Sequence, residues 1–439
     1  MNQFSNLCLA KNLRFVFCII IALTGLHANA QTNLEEYITQ AKANSPLIND
    51  NRNQVLANQA EADRIKALYQ KLQLSLNASY LFAPVYVTDN GQHRLELNSN
   101  GSATNYYGFD LGVTNGGSYQ GMVTVNQPLF NRKRADIMAA QPLINAQINA
   151  NNVVLTAHDL EKTVTDQYLL CLLDNRQTIN AANNIRVISG QQLIVRKLVA
   201  ASLLKSTDLT LLNIEYENSQ NLLIAYQAAF RKDLLELKLM SGIRDTTINK
   251  LDSVALTLKS DEPVHSLYNE RFRLDSLNLI TGQKGFETKY KPQLNLFENT
   301  GFNGPYLPTL VNRFGVSAGL MFTWNILDGH QRDITRRKTS ILLQSVSAYK
   351  NNFQTQQSLR KAQALAELQS YDSRLTHVRQ QLLDYESVLA GYRKQVIQAQ
   401  LSVIDFINVL KNRSMAQRDL LQLETNRLLL INAYNYWNW

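Results

Sequence analysis

Two kinds of hydrophobic pattern alternate along this chain. From Leu72 to Phe82, Leu72, Leu74, Leu76, Ala78, Tyr80 and Phe82 alternate with Gln73, Ser75, Asn77 and Ser79, the period of a strand with one apolar and one polar face. A second strand, over 314–326, places Phe314, Val316, Ala318, Leu320, Phe322, Trp324 and Ile326 opposite Gly315, Ser317, Gly319, Thr323 and Asn325. Tyr119–Leu129 and a stretch near 292–302, interrupted by Glu298, are weaker copies. Each run approaches the roughly 9 to 11 residues that a tilted strand needs to cross a bilayer, against roughly 5 to 6 for an average soluble strand. Between the strand pairs the period changes to three and four, as in Val164, Tyr168, Leu169 and Leu172, or Leu375, Val378, Leu382, Tyr385 and Leu389. Helices are expected from Arg132 to about Ala201 and from His330 to about Gln400, rods of roughly 100 Å each that need coiled-coil partners.

The order of elements repeats. GMVTVNQPLFN at 121–131 superimposes on AGLMFTWNILD at 318–328 with an offset of 197, and the same offset carries Asp208 onto Asp405. One shift serving two distant segments marks a duplication. The expected organisation is a first repeat over 31–242, a linker over 243–263 with VALTL at Val254–Leu258 as a short strand, and a second repeat over 264–439.

Composition supports long elements. In 439 residues there are 18 glycines and 8 prolines, few turn formers for this length. The first 30 residues read as a secretory signal: Lys11 and Arg14 precede an apolar run from Phe15 to Leu26, and Ala28-Asn29-Ala30 offers a small-x-small cleavage site. Bulky Phe17 before Cys18 argues against a lipoprotein site. Cleavage removes two cations and no acid, so the formal charge of +9 becomes +7, and Cys171 remains as the one cysteine. A lone cysteine forms no intrachain disulfide.

Four membrane strands cannot seal themselves, because open edges leave backbone groups unpaired in hydrocarbon. Two copies would supply eight strands and three would supply twelve, and a wet lumen lined by Ser75, Asn77, Ser317 and Thr323 favours the larger barrel. Here the ordered set of features resembles a family. The duplicated helix-strand-strand-helix pattern, the strand endings QPLFN at Gln127–Asn131 and NILDG at Asn325–Gly329, and the terminal helices resemble the TolC family of outer-membrane efflux ducts. The resemblance implies a mainly α fold with membrane β: antiparallel coiled-coil helices forming a periplasmic tunnel, and four strands per chain joining a trimeric twelve-stranded barrel. It implies a homotrimer in the outer membrane, docked to a periplasmic adaptor (membrane fusion) protein and an inner-membrane pump of RND, ABC or MFS type, serving efflux or type I secretion. No cofactor is expected.

The same resemblance points to residues. Ser402, Asp405 and Asn408 fall where the family narrows to a periplasmic gate, with Asp208 as the first-repeat counterpart of Asp405. Ser402-Val403-Ile404-Asp405 also reads as a capping box, with Ser402 accepting from the third amide. Ala201, Ser202 and Leu203, with Gln398, Ala399 and Gln400, replace the glycine turns at which family adaptors dock. Basic clusters follow two strands: Arg132, Lys133 and Arg134, then Arg336, Arg337 and Lys338. Positive charge at a helix start opposes the dipole, so lipid phosphates are the expected partner, with a solvated helix face as the alternative.

Enzyme signals are weak. Gly315-Val316-Ser317-Ala318-Gly319 matches a hydrolase pattern but lies within a strand alternation and not at a strand-turn-helix elbow. His93, His158, His265, His330 and His377 lack ligand spacing and are expected on solvated or helix surfaces. Cys171 is expected in a core. The rival reading is a structural cell-surface coiled-coil or adhesin, which would carry one terminal anchor where this chain has two hairpins interrupting its rods. Nucleic acid is not an expected partner.

Overall fold

A computed structural model of the chain describes residues 33–89, 91–96, 105–107, 116–259, 266–305, 307–398, 400 and 402–439. The signal-like segment, His265 and Ala399 lie outside the described residues. The elements run α1 (Leu34–Asn44), α2 (Pro46–Gln70), β1 (Gln73–Ala83), β2 (Val85–Asp89), β3 (Gln92–Glu96), β4 (Asn105–Tyr107), β5 (Gly116–Leu129), α3 (Arg132–Ala200), α4 (Ser206–Met240), α5 (Leu267–Glu287), β6 (Gln293–Gly304), β7 (Phe314–Thr323), α6 (Gln331–Ile397) and α7 (Val403–Trp437). The chain divides into two units.

The unit formed by Asp50–Val153 and Leu267–Phe353 contains the sheets. Its main sheet is antiparallel in the order β1-β5-β6-β7, with β1 and β7 as its edges. Register pairs apolar residues across one face, Leu74 with Val125, Leu76 with Val123, Leu294 with Phe322 and Leu296 with Leu320, a face that Glu298 and Thr300 interrupt. Leu74, Leu76, Val316, Leu320 and Phe322 are all exposed. Ser, Thr, Asn and Gln populate the other face and bond across strands. Asn77 donates to Thr124 at 3.4 Å, Thr124 to Asn299 at 2.8 Å and Ser79 to Gln120 at 3.3 Å.

Two expectations about strands change. β7 stops at Thr323, short of Trp324 and Ile326. The next cross-strand partner would be Pro292, which has no N–H to donate, and the far edge of β7 carries no strand. Trp324 instead donates its indole N–H to the Tyr290 carbonyl at 3.1 Å, and Asn325 its amide to that of Lys289 at 3.2 Å. Second, the segment after β1 is not a plain loop: β2, β3 and β4 form a separate three-stranded sheet in the order β3-β2-β4.

The unit formed by Met1–Asn49, Val154–Ser266 and Gln354–Trp439 is helical among its described residues. One cluster joins Tyr37 and Ala41 of α1, Val164, Tyr168 and Cys171 of α3, and Leu234 and Leu237 of α4. Cys171 is fully buried, as expected. Val254 and Leu256 pack on this cluster, but 252–259 form no strand. Their alternation is extended backbone served by a side chain: Asn435 donates to the Thr257 carbonyl at 2.8 Å and accepts from the Lys259 amide at 2.9 Å. His158 also departs from expectation. It is buried, stacked on Tyr436 and on Trp439, with its Nε2 at 3.0 Å from the Tyr436 carbonyl oxygen.

On α6, Leu368, Leu375, Leu382, Leu389 and Val396 are buried at a strict seven-residue interval, with half-buried Tyr371, Val378, Tyr385 and Tyr392 between them. A sustained seven-residue repeat imposes left-handed supercoiling.

Candidate functional site

The residues expected at a gate lie beside one apolar cluster shared by four helix segments. Ile188 and Val195 of α3, Leu212 of α4, Leu389 and Val396 of α6, and Val403, Phe406, Ile407 and Leu410 of α7 pack together. The α3–α4 and α6–α7 turns are thus bound to one cluster, and one hydrogen bond recurs in both. After α3, the Leu203 amide donates to the Leu198 carbonyl and the Ser202 amide to that of Val199, both at 2.9 Å. This pair of bonds is a Schellman ending, whose central residue adopts a left-handed conformation. Ser202 does so, with φ 62°. After α6, the Gln400 amide donates to the Gln395 carbonyl at 2.9 Å, the same bond displaced by 197 residues. Ala201, Ser202, Leu203, Gln398 and Gln400 are exposed.

Each of the two helix starts, at α4 and α7, keeps half of a capping box. Lys205 is the N-cap of α4, and its amide donates to the Asp208 carboxylate at 3.1 Å. Ser402 is the N-cap of α7, and its hydroxyl accepts from the Ile404 amide at 3.2 Å. That is the second amide of the helix and not the third, as the sequence had implied. Asp405 and Asn408 are exposed and lie on one helical face, three residues apart. Behind them Val403, Phe406 and Ile407 are buried, so packing fixes the rotation of α7 that turns Asp405 outward.

One turn further along, sequence reasoning missed an ion pair. Lys411 of α7 reaches Glu215 of α4 at 2.8 Å, with the Glu215 side chain only 13% exposed. A cleft of about 230 Å³ adjoins it, lined by Asn180, Asn184, Ser219, Tyr226, Ser414 and Arg418 among others. Nothing local marks the pair, because its members are 196 positions apart.

The basic clusters divide by burial. Arg132, Lys133, Arg337 and Lys338 are exposed. Arg134 is 5% exposed and donates to the carbonyls of Thr288 and Lys291, the latter at 2.9 Å. It is therefore a clamp on the turn before β6 and not a lipid contact. Arg336 is exposed but engaged, pairing with Glu287 at 2.7 Å. Its guanidinium holds the Glu287 carboxyl below the usual range. Phe130 and Leu327, again 197 residues apart, close the two strand segments with side chains 93% and 94% exposed.

The hydrolase-like Gly315–Gly319 stretch lies within β7, without an elbow. No described helix is long and apolar enough to cross a membrane.

No family model matches this chain, and no curated protein matches it in sequence. Solved structures do match. CusC, described in terms of folding and transmembrane channel formation, superimposes with a TM-score of 0.70 at 14% identity, over 92% of this chain and 91% of its own. The CmeC outer-membrane channel of Campylobacter jejuni gives 0.69 at 10% identity, over 92% and 85%. The outer-membrane protein VceC of Vibrio cholerae gives 0.68 at 14% identity, over 92% and 95%. At these identities the likeness defines architecture: this chain has the fold of TolC-type outer-membrane channels, the fold that its sequence resemblance implied.

Proposed function

We propose that the chain is one protomer of a homotrimeric outer-membrane exit duct, a passive conduit for a tripartite efflux pump or a type I secretion system. The observation that carries this reading is the four-stranded sheet with an exposed apolar face, a hydrogen-bonded polar face and two open edges. Such a sheet is unstable in water and in lipid alike unless its edges are paired. Pairing β7 of one copy with β1 of the next closes three copies into twelve strands, with Asn77, Thr124 and Asn299 lining water. Phe130 and Leu327 then sit at the interface, and Arg132, Lys133, Arg337 and Lys338 meet lipid phosphates.

The helical unit supplies the periplasmic passage. Asp405 and Asn408 line its aperture, with Ser402 and Asp208 as caps that hold the helix starts. Lys411–Glu215 ties α7 to α4 in the closed arrangement. Opening shifts α6 and α7 against α3 and α4, and an adaptor docked on Ala201–Leu203 and on Gln398, Ala399 and Gln400 biases that shift. The energy comes from the inner-membrane pump, and the chain itself performs no chemistry.

The test is direct. Protein extracted from outer membranes should migrate as a trimer and form steady conducting pores in planar bilayers, and Asp405→Ala should reduce block by added multivalent cations. A stable monomer, or a trimer that passes no current even after Lys411→Met, sinks the reading.

A further inference from the structure

The seam where α3, α4 and α7 meet is apolar at two levels and polar between them. One cluster takes Ile188, Leu212 and Leu410 from the three helices in turn, and the other takes Leu169, Leu234 and Leu428. Between these levels the seam opens into the cleft of about 230 Å³ beside Lys411 and Glu215. Glu215, Leu222 and Tyr226 line it from α4, and Lys411, Met415 and Arg418 from α7, each set at intervals of three, four or seven that share one helical face. Asn180 and Ala181 close it from α3.

The charges of the lining do not balance. It carries two cations and one carboxylate, and because Lys411 takes Glu215 at 2.8 Å, Arg418 is the surplus charge. Arg418 is half-buried, and its guanidinium makes no hydrogen bond or ion pair among the described residues. The Tyr226 hydroxyl and the Asn180 amide, on the same cleft, have no partner there either. A guanidinium partly withdrawn from water without an acceptor is costly, and its planar fork matches the two oxygens of a carboxylate. Leu222 and Met415 present exposed apolar surface to the same space. The volume is far above the roughly 10–15 Å³ that one water molecule needs. Surplus charge, idle donors and apolar wall together describe a ligand with one charged end and one apolar end.

We infer that the α3–α4–α7 cleft is a binding site for a small organic carboxylate, its oxygens on Arg418 and its apolar body on Ala181, Leu222 and Met415. The Tyr226 hydroxyl and the Asn180 amide supply further donors to the carboxylate. Neutral and cationic molecules of the same shape are excluded by charge, since neither relieves Arg418. Specificity for size follows from the closed ends of the cleft, where the seam returns to packed leucines. A bound carboxylate touches three helices at once and so tightens the seam beside Lys411–Glu215. Its effect on opening rests on the channel reading, whereas the binding itself does not.

Fluorine NMR of the full chain in detergent tests it, with 4-fluorobenzoate as the probe and empty micelles as the blank. The wild type should bind the probe saturably with a Kd of about 1 mM or tighter, and benzoate should displace it where benzyl alcohol does not. Arg418→Gln should weaken binding about tenfold or more, and Arg418→Lys, which keeps the charge without the fork, should lose less. Met415→Trp keeps the charge and fills the cleft, and it should also weaken binding. A second measurement needs no variant: saturating benzoate should slow backbone hydrogen exchange over 176–186 and 411–420 by about threefold or more in the wild type. No saturable binding by the wild type, equal displacement by benzyl alcohol, full affinity in Arg418→Gln, or exchange that ignores benzoate overturns the site. These readouts use no conductance, so a failed channel reading leaves them interpretable.

Discussion

The Leu203 amide donates to the Leu198 carbonyl at 2.9 Å, and Gln400 repeats that bond to Gln395 at the same length. Between Leu198 and Leu203 the left-handed residue is Ser202, where a Cβ costs roughly 1 kcal/mol relative to glycine. Ser202→Gly should therefore slow backbone exchange at residues 198–204, and Ser202→Val should speed it about tenfold or more. Exchange unchanged in both variants would show that the turn is held from outside.

Lys411→Met should be the more disruptive half of the Lys411–Glu215 pair. It strands a carboxylate that is only 13% exposed, and with the lysine 47% exposed the loss falls between that of a surface pair and a buried one, about 1–2 kcal/mol. Glu215→Gln leaves an exposed lysine and should cost less. Bilayer conductance should rise in Lys411→Met and return toward the wild-type level in Lys411→Glu/Glu215→Lys.

Arg134 and Arg132 are two positions apart, and their substitutions should behave differently. Arg134→Met removes two charge-assisted bonds to main-chain carbonyls and should lower the thermal midpoint of the protein by an amount equivalent to about 3 kcal/mol. Arg132→Ala, at an exposed site, should stay within about 0.5 kcal/mol. A semi-native gel temperature series separates the two, and equal losses would mean that Arg134 is not the clamp described.

Phe297 lies across Gly319 on the polar face of the sheet. A Cβ added at Gly319 would come within 2.7 Å of the Phe297 ring. Gly319→Ala should thus destabilise the sheet by about 1–3 kcal/mol, and Phe297→Leu in the same chain should recover most of it, as in other overpacked sites. The same gel series measures both, and failure of the double variant to recover would point to the backbone.

Much of the fold was legible because its signals are local. Alternation from Leu72 to Phe82 specified β1 to within a residue, and the helical period with few breakers specified α3 and α6 nearly to their ends. The 197-residue offset carried further than its two motifs, since it also relates Leu198–Leu203 to Gln395–Gln400 and Phe130 to Leu327. The small β2-β3-β4 sheet was missed because its strands are three to five residues long, too short for a period to declare itself.

What the chain determines by itself is which face of each element is apolar, since that follows from neighbours along the backbone. Partner choice belongs to the tertiary structure. Burial of Arg134 against Thr288, the end of β7 opposite Pro292, the stacking of His158 on Trp439 and the meeting of Lys411 with Glu215 all join residues far apart in sequence. The physical reason is that charge and hydrogen-bond energies depend on solvent exclusion and on distances set by helix packing, and neither exists until the elements are assembled.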